Sequence, residues 1–270
     1  MRIEMLIGIN IVALLIIIAV ICFIAIKLKS RFAFNDKQFA QVNNYLNSIN
    51  AFYIEVVNNK LNEISFEIQN SIYLGQLGFK YPLFLGGWSI DSFLAKYLVQ
   101  QMVAQKPKTV LELGSGASTV LMARCMQIIN NSYEHFAVDH EKKYLELTKQ
   151  YAILNGVVEH ITFWECPIQP TEEVKMLWYG GLLEKLQGKK IDLLLIDGPP
   201  GPLQKESRYP ALPLLYPYLS ENCTVILDDA NRTDERSIIE RWLKEYPEFD
   251  LVHEGSGHGI GVLTRNKLSL

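Results

Sequence analysis

The chain has 270 residues, of which 49% are hydrophobic and 20% charged, and a net charge of −3. This excludes a disordered chain and leaves room for one sizeable domain with additions. The charge balance, with no basic stripe carrying interleaved aromatics, excludes nucleic acid as a partner. The cysteines (Cys22, Cys125, Cys166 and Cys223) are scattered without a CxxC pair, which fits neither a zinc site nor a disulfide framework and suggests reduced thiols.

From Met5 to Ile26 the chain is uncharged and interrupted only by Gly8 and Asn10. At about 1.5 Å per residue such a helix spans a hydrocarbon core of roughly 30 Å. A signal peptide is the rival, but its apolar region is shorter and ends in small residues before a cleavage site. Here the run ends in Lys27, Lys29 and Arg31, which predicts a single-pass membrane anchor with its N-terminus outside and the rest of the chain cytoplasmic.

Between Phe34 and Leu74, apolar residues recur at Phe39, Val42, Leu46, Ile49, Tyr53 and Val56, then resume out of phase at Leu61, Ile64, Ile68 and Ile72. This predicts a pair of amphipathic helices packed on the domain that follows; a self-associating stalk, giving a homo-oligomer, is the second reading. The domain boundaries expected are 1–33 for the anchor, 34–85 for the stalk and 86–270 for the main domain.

After Pro107 apolar runs alternate with helical segments. Strands are expected at Thr109–Leu113, His135–Val138, Ile161–Trp164, Ile191–Ile196, Thr224–Leu227, Asp250–His253 and Gly259–Thr264. Helices are expected at Ala117–Ile129, Glu141–Leu154, Glu172–Gln187, Leu203–Leu219 and Asp234–Tyr246. The alternation predicts an α/β, doubly wound, mostly parallel sheet. The last two strands are joined only by GSGHG and should be antiparallel.

In such sheets ligands bind at the carboxyl ends of the strands. The first strand ends in VLELGSGAST, where Gly114 and Gly116 permit a sharp turn and close approach of a ligand; a tight structural turn is the alternative. The second ends in Asp139, suited to accept both hydroxyls of a ribose or to cap the next helix. A dinucleotide site calls for a third glycine, and here that position is Thr119, while Glu112 is poor company for a phosphate but good company for an ammonium. These residues favour S-adenosylmethionine over NAD.

VLELGSGAST, AVDH, LLLIDGPPG and VILDDAN together resemble the motifs of class I S-adenosylmethionine-dependent methyltransferases, and most of all the bacterial sugar and macrolide O-methyltransferase branch related to catechol O-methyltransferase. The resemblance covers roughly Gly86 to Arg265. It implies a Rossmann-like, seven-stranded sheet with a reversed last strand. It places Glu112, Gly114 and Gly116 around the methionine end, with Ser115, Ser118 and Thr119 adjacent and Asp139 on the ribose. In metal-dependent members, carboxylates after the fourth and fifth strands hold a divalent cation; Asp197, Asp228 and Asp229 stand at those positions, which suits magnesium. The alternative for Asp228 or Asp229 is a cap on the helix near Thr233. The catechol-type lysine falls on Pro200 and the catechol-type Asn on Ala230, so an acid, Asp197 or Asp229, is expected to act as base. Trp88 precedes the first strand, where such enzymes often have a covering segment, and Trp178, Tyr179 and Tyr209 could line a pocket, but aromatics are more often core and all four are left outside the site; His258 stands in a turn that could lie near the active edge, with an exposed loop residue as the preferred reading.

The resulting expectation is a membrane-anchored enzyme that methylates a hydroxyl of a small molecule or glycan precursor. The rivals are an NAD-dependent oxidoreductase and a non-catalytic methyltransferase-like scaffold.

Overall fold

The computed structural model describes residues 2–31, 36–129, 132–255 and 257–265. The chain divides into two compact units, Met1–Asn62 and Glu63–Leu270.

In the first unit, α1 (Arg2–Arg31) is one 30-residue helix. Its segment Ile11–Lys29 has a mean hydropathy of 3.2 and is long and apolar enough to cross a membrane. Next comes α2 (Asp36–Gly75), a single helix of 40 residues that runs on into the second unit. The expected pair of helices is therefore one. No Gly or Pro stands between Val56 and Leu61, so the slip in apolar phase moves the stripe without breaking the backbone ladder. Near its end Asn70 and Leu74 are buried, and the Asn70 amide donates to Ser92 Oγ (3.3 Å).

The second unit is built on a seven-stranded sheet. Its strands are β1 (Thr109–Leu113), β2 (Glu134–Asp139), β3 (Ile161–Glu165), β6 (Ile191–Ile196), β7 (Leu219–Asp228), β8 (Phe249–Glu254) and β9 (Ile260–Arg265), in spatial order β3-β2-β1-β6-β7-β9-β8. The first five are parallel, and β9 runs antiparallel to both β7 and β8, as the helix-free GSGHG junction predicts. Every residue of β1 is buried, as expected of a strand covered on both faces. Leu111, Leu113, Leu194 and Ile196 pack on one side with Trp242, while Val110, Leu193 and Leu195 pack on the other with Leu94, Leu98 and Met122. The covering helices are α3 (Ser92–Gln105), α4 (Ala117–Ile128), α5 (Lys142–Asn155) and α8 (Thr233–Glu245). Asp91 caps α3, its Oδ1 accepting from the Leu94 N–H (2.8 Å), and its Oδ2 accepts from the His258 N–H (2.8 Å), tying that helix to the β8–β9 turn.

Two expected helices are replaced. Residues 172–187 contain the second half of a hairpin, β4 (Ile168–Thr171) with β5 (Met176–Tyr179), followed by the short α6 (Leu182–Lys185). Lys175 turns the hairpin with φ 54°, and Leu177 to Tyr179 are residues that favour strands or tolerate them well. Gln204 pins the hairpin: its side-chain oxygen accepts from the Leu177 N–H (3.0 Å) and its amide donates to the Leu177 carbonyl (2.9 Å). Between Leu203 and Leu219 the prolines at 210, 213 and 217 break the helix, leaving α7 (Ala211–Leu215) between two single 3₁₀ turns.

Candidate active site

Three strand ends, those of β1, β2 and β6, meet at the carboxyl edge of the sheet. The Gly114 N–H donates to the Val138 carbonyl and the Asp197 N–H to the Leu113 carbonyl, each at 2.9 Å. Gly114 has φ 93°, and a Cβ there would stand 3.1 Å from the Asp197 backbone, so this crossing requires glycine. Beyond it Thr119 Oγ1 accepts from the Gly116 N–H (3.0 Å) and donates to Glu112 Oε2 (2.6 Å). His135 Nε2 lies 3.3 Å from the same carboxylate oxygen, and both side chains are fully buried. Glu112 and Thr119 thus brace the glycine loop, and the second Glu112 oxygen, Oε1, is buried without a hydrogen-bond partner among the described residues.

Asp139 is buried at the end of β2. Its Oδ2 accepts from the Ser115 N–H (3.2 Å) and Oγ (3.1 Å), and its Oδ1 accepts from the Glu141 N–H (3.0 Å) at the start of α5. It therefore ties the glycine loop to the start of α5, whose N-cap position is Glu141 and carries no side-chain cap. Gly114, Ser115, Gly116, Ser118 and Asp197 line one cavity of about 340 Å³, with Phe84 and Trp88 also in its lining. Trp88 is 93% exposed and so lies outside the core.

The acids Asp197, Asp228 and Asp229 also come together, around a residue the sequence reading overlooked. Arg208, 4% exposed, donates from Nη2 to Asp197 Oδ1 (3.1 Å) and the Asp197 carbonyl (3.0 Å), and from Nη1 to the Asp228 carbonyl (2.9 Å). The same Nη2 lies 3.0 Å from Asp229 Oδ2, to which Arg232 Nη1 also comes within 2.8 Å. Asp229 sits in the left-handed region, φ 61°, which turns its side chain back toward the guanidinium. Its N–H donates to Asp228 Oδ1 (2.8 Å). Neither acid caps α8, whose first turn has no side-chain cap.

Burial raises the proton affinity of Asp197 and the Asp229 and Glu112 charges add to it, against Arg208, so its pKa stands at about 7. Burial and the neighbouring Asp197 and Asp229 charges push Asp228 up to about 8. Near neutral pH Asp197 and Asp228 therefore retain a shared proton.

The three acids lie close enough for their charges to act on one another, and Asp197 is also paired with Arg208. Among the described residues, Asp228, Asp229 and His258 offer ligand atoms within 4.8 Å of one another. His258, in the β8–β9 turn and 42% exposed, stands with Nδ1 3.6 Å from Asp229 Oδ1. Asn231 holds the β8–β9 turn instead, donating to the Gly255 carbonyl (2.9 Å).

Residues 111–230, from the first strand through the acid pair, match the family model of a methyltransferase domain. Over that stretch the chain is similar to methyltransferase domains. No curated protein matches the chain by sequence. Among solved structures, the S-adenosylhomocysteine-bound methyltransferase of Podospora anserina is 15% identical, with a TM-score of 0.52 over 74% of this chain and 88% of that one. An O-methyltransferase from Bacillus cereus, also bound to S-adenosylhomocysteine, is 14% identical, with a TM-score of 0.50 over 76% and 91%. A Streptomyces achromogenes O-methyltransferase involved in tomaymycin synthesis is 11% identical, with a TM-score of 0.51 over 67% and 83%. At these identities the likeness is one of fold.

The methyltransferase edge of this sheet suits the donor molecule chemically. A side chain at Gly114 or Gly198 would fill the notch between β1 and β6, and Asp139 offers a carboxylate at the strand end where a ribose is held in such folds. Arg208 was missed because it reaches the acids from a distant loop, and nothing in ESRYPAL signals which strand end it meets.

Proposed function

We propose that this chain is a membrane-anchored O-methyltransferase that transfers the methyl group of S-adenosylmethionine to a hydroxyl of a small molecule or glycan precursor. The observation that carries the reading is Asp197, which lines the cavity beside the glycine loop with its proton affinity raised to near neutrality. A base working at neutral pH needs that affinity. Bound in the crevice, the donor offers an electrophilic methyl carbon. The acceptor oxygen forms the new C–O bond, the C–S bond breaks to leave a thioether, and the hydroxyl proton passes to the Asp197 carboxylate. Asp139 holds the ribose, Gly114, Ser115, Gly116 and Ser118 shape the donor site, and Arg208 steadies Asp197 and Asp229. Residues 1–33 serve as anchor, 34–85 as stalk and 86–270 as the methyltransferase domain, with the N-terminus outside and the domain cytoplasmic. Apolar residues exposed along α2, such as Ile49 and Phe52, support self-association of the stalk.

A second reading adds a divalent cation such as magnesium, supported by the Asp228, Asp229 and His258 group. Those residues would hold the ion, and a bound cation supplies Lewis acidity near a reacting hydroxyl. One experiment separates the readings: methyl transfer to a panel of hydroxyl acceptors by wild type and Asp197→Asn, with and without excess chelator. The base role requires loss of transfer in Asp197→Asn while donor binding survives. Activity undiminished by chelator removes the metal reading and leaves the base role standing.

A further inference from the structure

A helix that covers a sheet needs one apolar stripe, and α5 carries two. Leu145, Thr148, Ala152 and Asn155 form the buried stripe. Tyr144, Leu147, Tyr151 and Leu154, spaced three, four and three apart, form a second. Tyr144, Leu147 and Leu154 remain 47%, 46% and 42% exposed although nothing polar about them requires it. Residues 81–88 run alongside, with Phe84 edge-on to Tyr151 at 6.3 Å between ring centroids. That segment is fastened at both ends. The Tyr81 N–H donates to Asn155 Oδ1 (3.1 Å), Arg124 Nε to the Leu77 carbonyl (2.9 Å), and the Gly86 N–H to the Ile90 carbonyl (2.9 Å). Between the two walls lies a second hollow of about 320 Å³. It shares Phe84, Leu147 and Tyr151 with the cavity at the strand ends, so the two follow one another along α5. From Tyr144 in the first to Leu154 in the second, the stripe runs about 15 Å. Among the described residues, the one charged side chain lining either hollow is Asp197, beside the glycine loop.

Resting on the reading of Asp197 as base, we infer that this groove holds the tail of the acceptor, a long-chain amphiphile whose hydroxyl-bearing head meets Asp197 and whose aliphatic chain lies along α5. A contiguous exposed apolar surface marks a contact, and a groove without cations offers nothing to a phosphate or carboxylate. Its length exceeds a sugar ring and suits an extended chain, and its fastened walls spare the cost of ordering them on binding. The anchor proposed above puts the protein on the surface in which such molecules dissolve. Leu147 and Leu154 are then specificity residues: they touch the chain and leave the reacting oxygen alone.

The test is photolabelling of the full chain in lipid nanodiscs with hexanol and dodecanol that carry a terminal diazirine, mapped by peptide mass spectrometry. Dodecanol should label the Tyr81–Phe84 and Gln150–Leu154 stretches saturably, with unlabelled dodecanol competing. Because burial of each methylene tightens binding, hexanol should need a concentration at least about tenfold higher for half-labelling. Leu147→Glu puts a charge in the groove and should raise the dodecanol concentration at least about tenfold. Leu147 lies off the buried stripe, so the fold should tolerate that change. Ile153→Glu, exposed and outside both hollows, is the control and should leave labelling as it is. Labelling that never saturates, that is equal for the two alcohols, or that survives Leu147→Glu overturns the inference. So does a wild-type dimer that Leu147→Glu turns into a monomer by light scattering, which would give this face to a second copy. Labelling requires neither donor nor transfer. Its failure therefore leaves the base role of Asp197 standing, and loss of that role by the Asp197→Asn transfer assay leaves the groove standing.

Discussion

Removing the guanidinium of Arg208 should destabilise the protein by an amount that depends on pH. Arg208→Met keeps most of the side-chain volume and deletes the charge. In the native site that charge faces Asp197 Oδ1 at 3.1 Å, Asp229 Oδ2 at 3.0 Å and Glu235 Oε1 at 3.9 Å, and it also serves the backbone carbonyls of Asp197 and Asp228. Stranding a buried partner of a removed charge costs about 3–5 kcal/mol. The carboxylates can escape part of that cost by taking up protons. Asp197 and Asp228 already have native pKa values raised to about 7 and about 8, and Arg208 is a lowering influence on both, so its loss raises them further. A group whose native pKa is raised stabilises the fold where it is protonated, and that contribution disappears as pH rises through the native value. The penalty for Arg208→Met should therefore be smaller at pH 6 than at pH 8. Denaturant melts of the detergent-solubilised chain at both pH values measure it. A loss below about 1 kcal/mol, or one equal at the two pH values, would refute the claim that Arg208 compensates buried acids.

For the wild type, the same raised affinities mean that stability should fall by about 1.4 kcal/mol per pH unit for one shared proton, between roughly pH 5 and the native pKa of about 7. Methyl transfer should climb over that range as Asp197 ionises, so activity and melting temperature recorded in the same buffers should move in opposite directions. Gly198→Ala should cost about 1–3 kcal/mol, the scale of overpacking, because its Cβ meets Tyr179 Oη. Adding Tyr179→Phe should recover part of that in a thermal melt, and no recovery would place the clash elsewhere. Full-length protein should resist carbonate extraction from membranes and show a C-terminal reporter on the cytoplasmic side; a shortened, soluble mature chain would instead mark α1 as a signal peptide.

Periodicity located the sheet because each parallel strand is buried on both faces and therefore reads as an apolar run with sharp ends. Thr109–Leu113 and Ile191–Ile196 were legible to the residue. The β8–β9 pair was legible because GSGHG leaves no room for a helix. The hairpin was not: residues 172–187 have enough charge and spacing to imitate a helix, and strand formation there depends on Gln204 reaching back to Leu177. The same limit applies at the site. Gly114, Asp139 and Asp197 announce themselves because they follow strands, whose ends the fold brings to one edge. Arg208, His258 and Tyr179 come from segments without a period, and only packing decides where they point.

The adjacent acids after β7 have different neighbours, and that difference predicts what each does. Asp228 turns inward and accepts the next residue's N–H, whereas Asp229 is bent by its positive φ toward Arg208, Arg232 and His258. Arg208 is thereby shared between Asp229 and Asp197. A shared cation stabilises each carboxylate less than a dedicated one, and the Asp229 charge itself raises the proton affinity of Asp197. Asp229→Asn removes that charge and leaves the guanidinium to Asp197. The Asp197 pKa should then fall below about 7, moving the acid limb of the kcat profile to lower pH. A weaker base also transfers the proton less readily, so the plateau rate should drop, by less than the loss seen with Asp197→Asn. If Asp229 instead holds an essential cation, Asp229→Asn should abolish transfer at every pH. An acid limb that stays in place in an active variant would show that Asp197 is not the base.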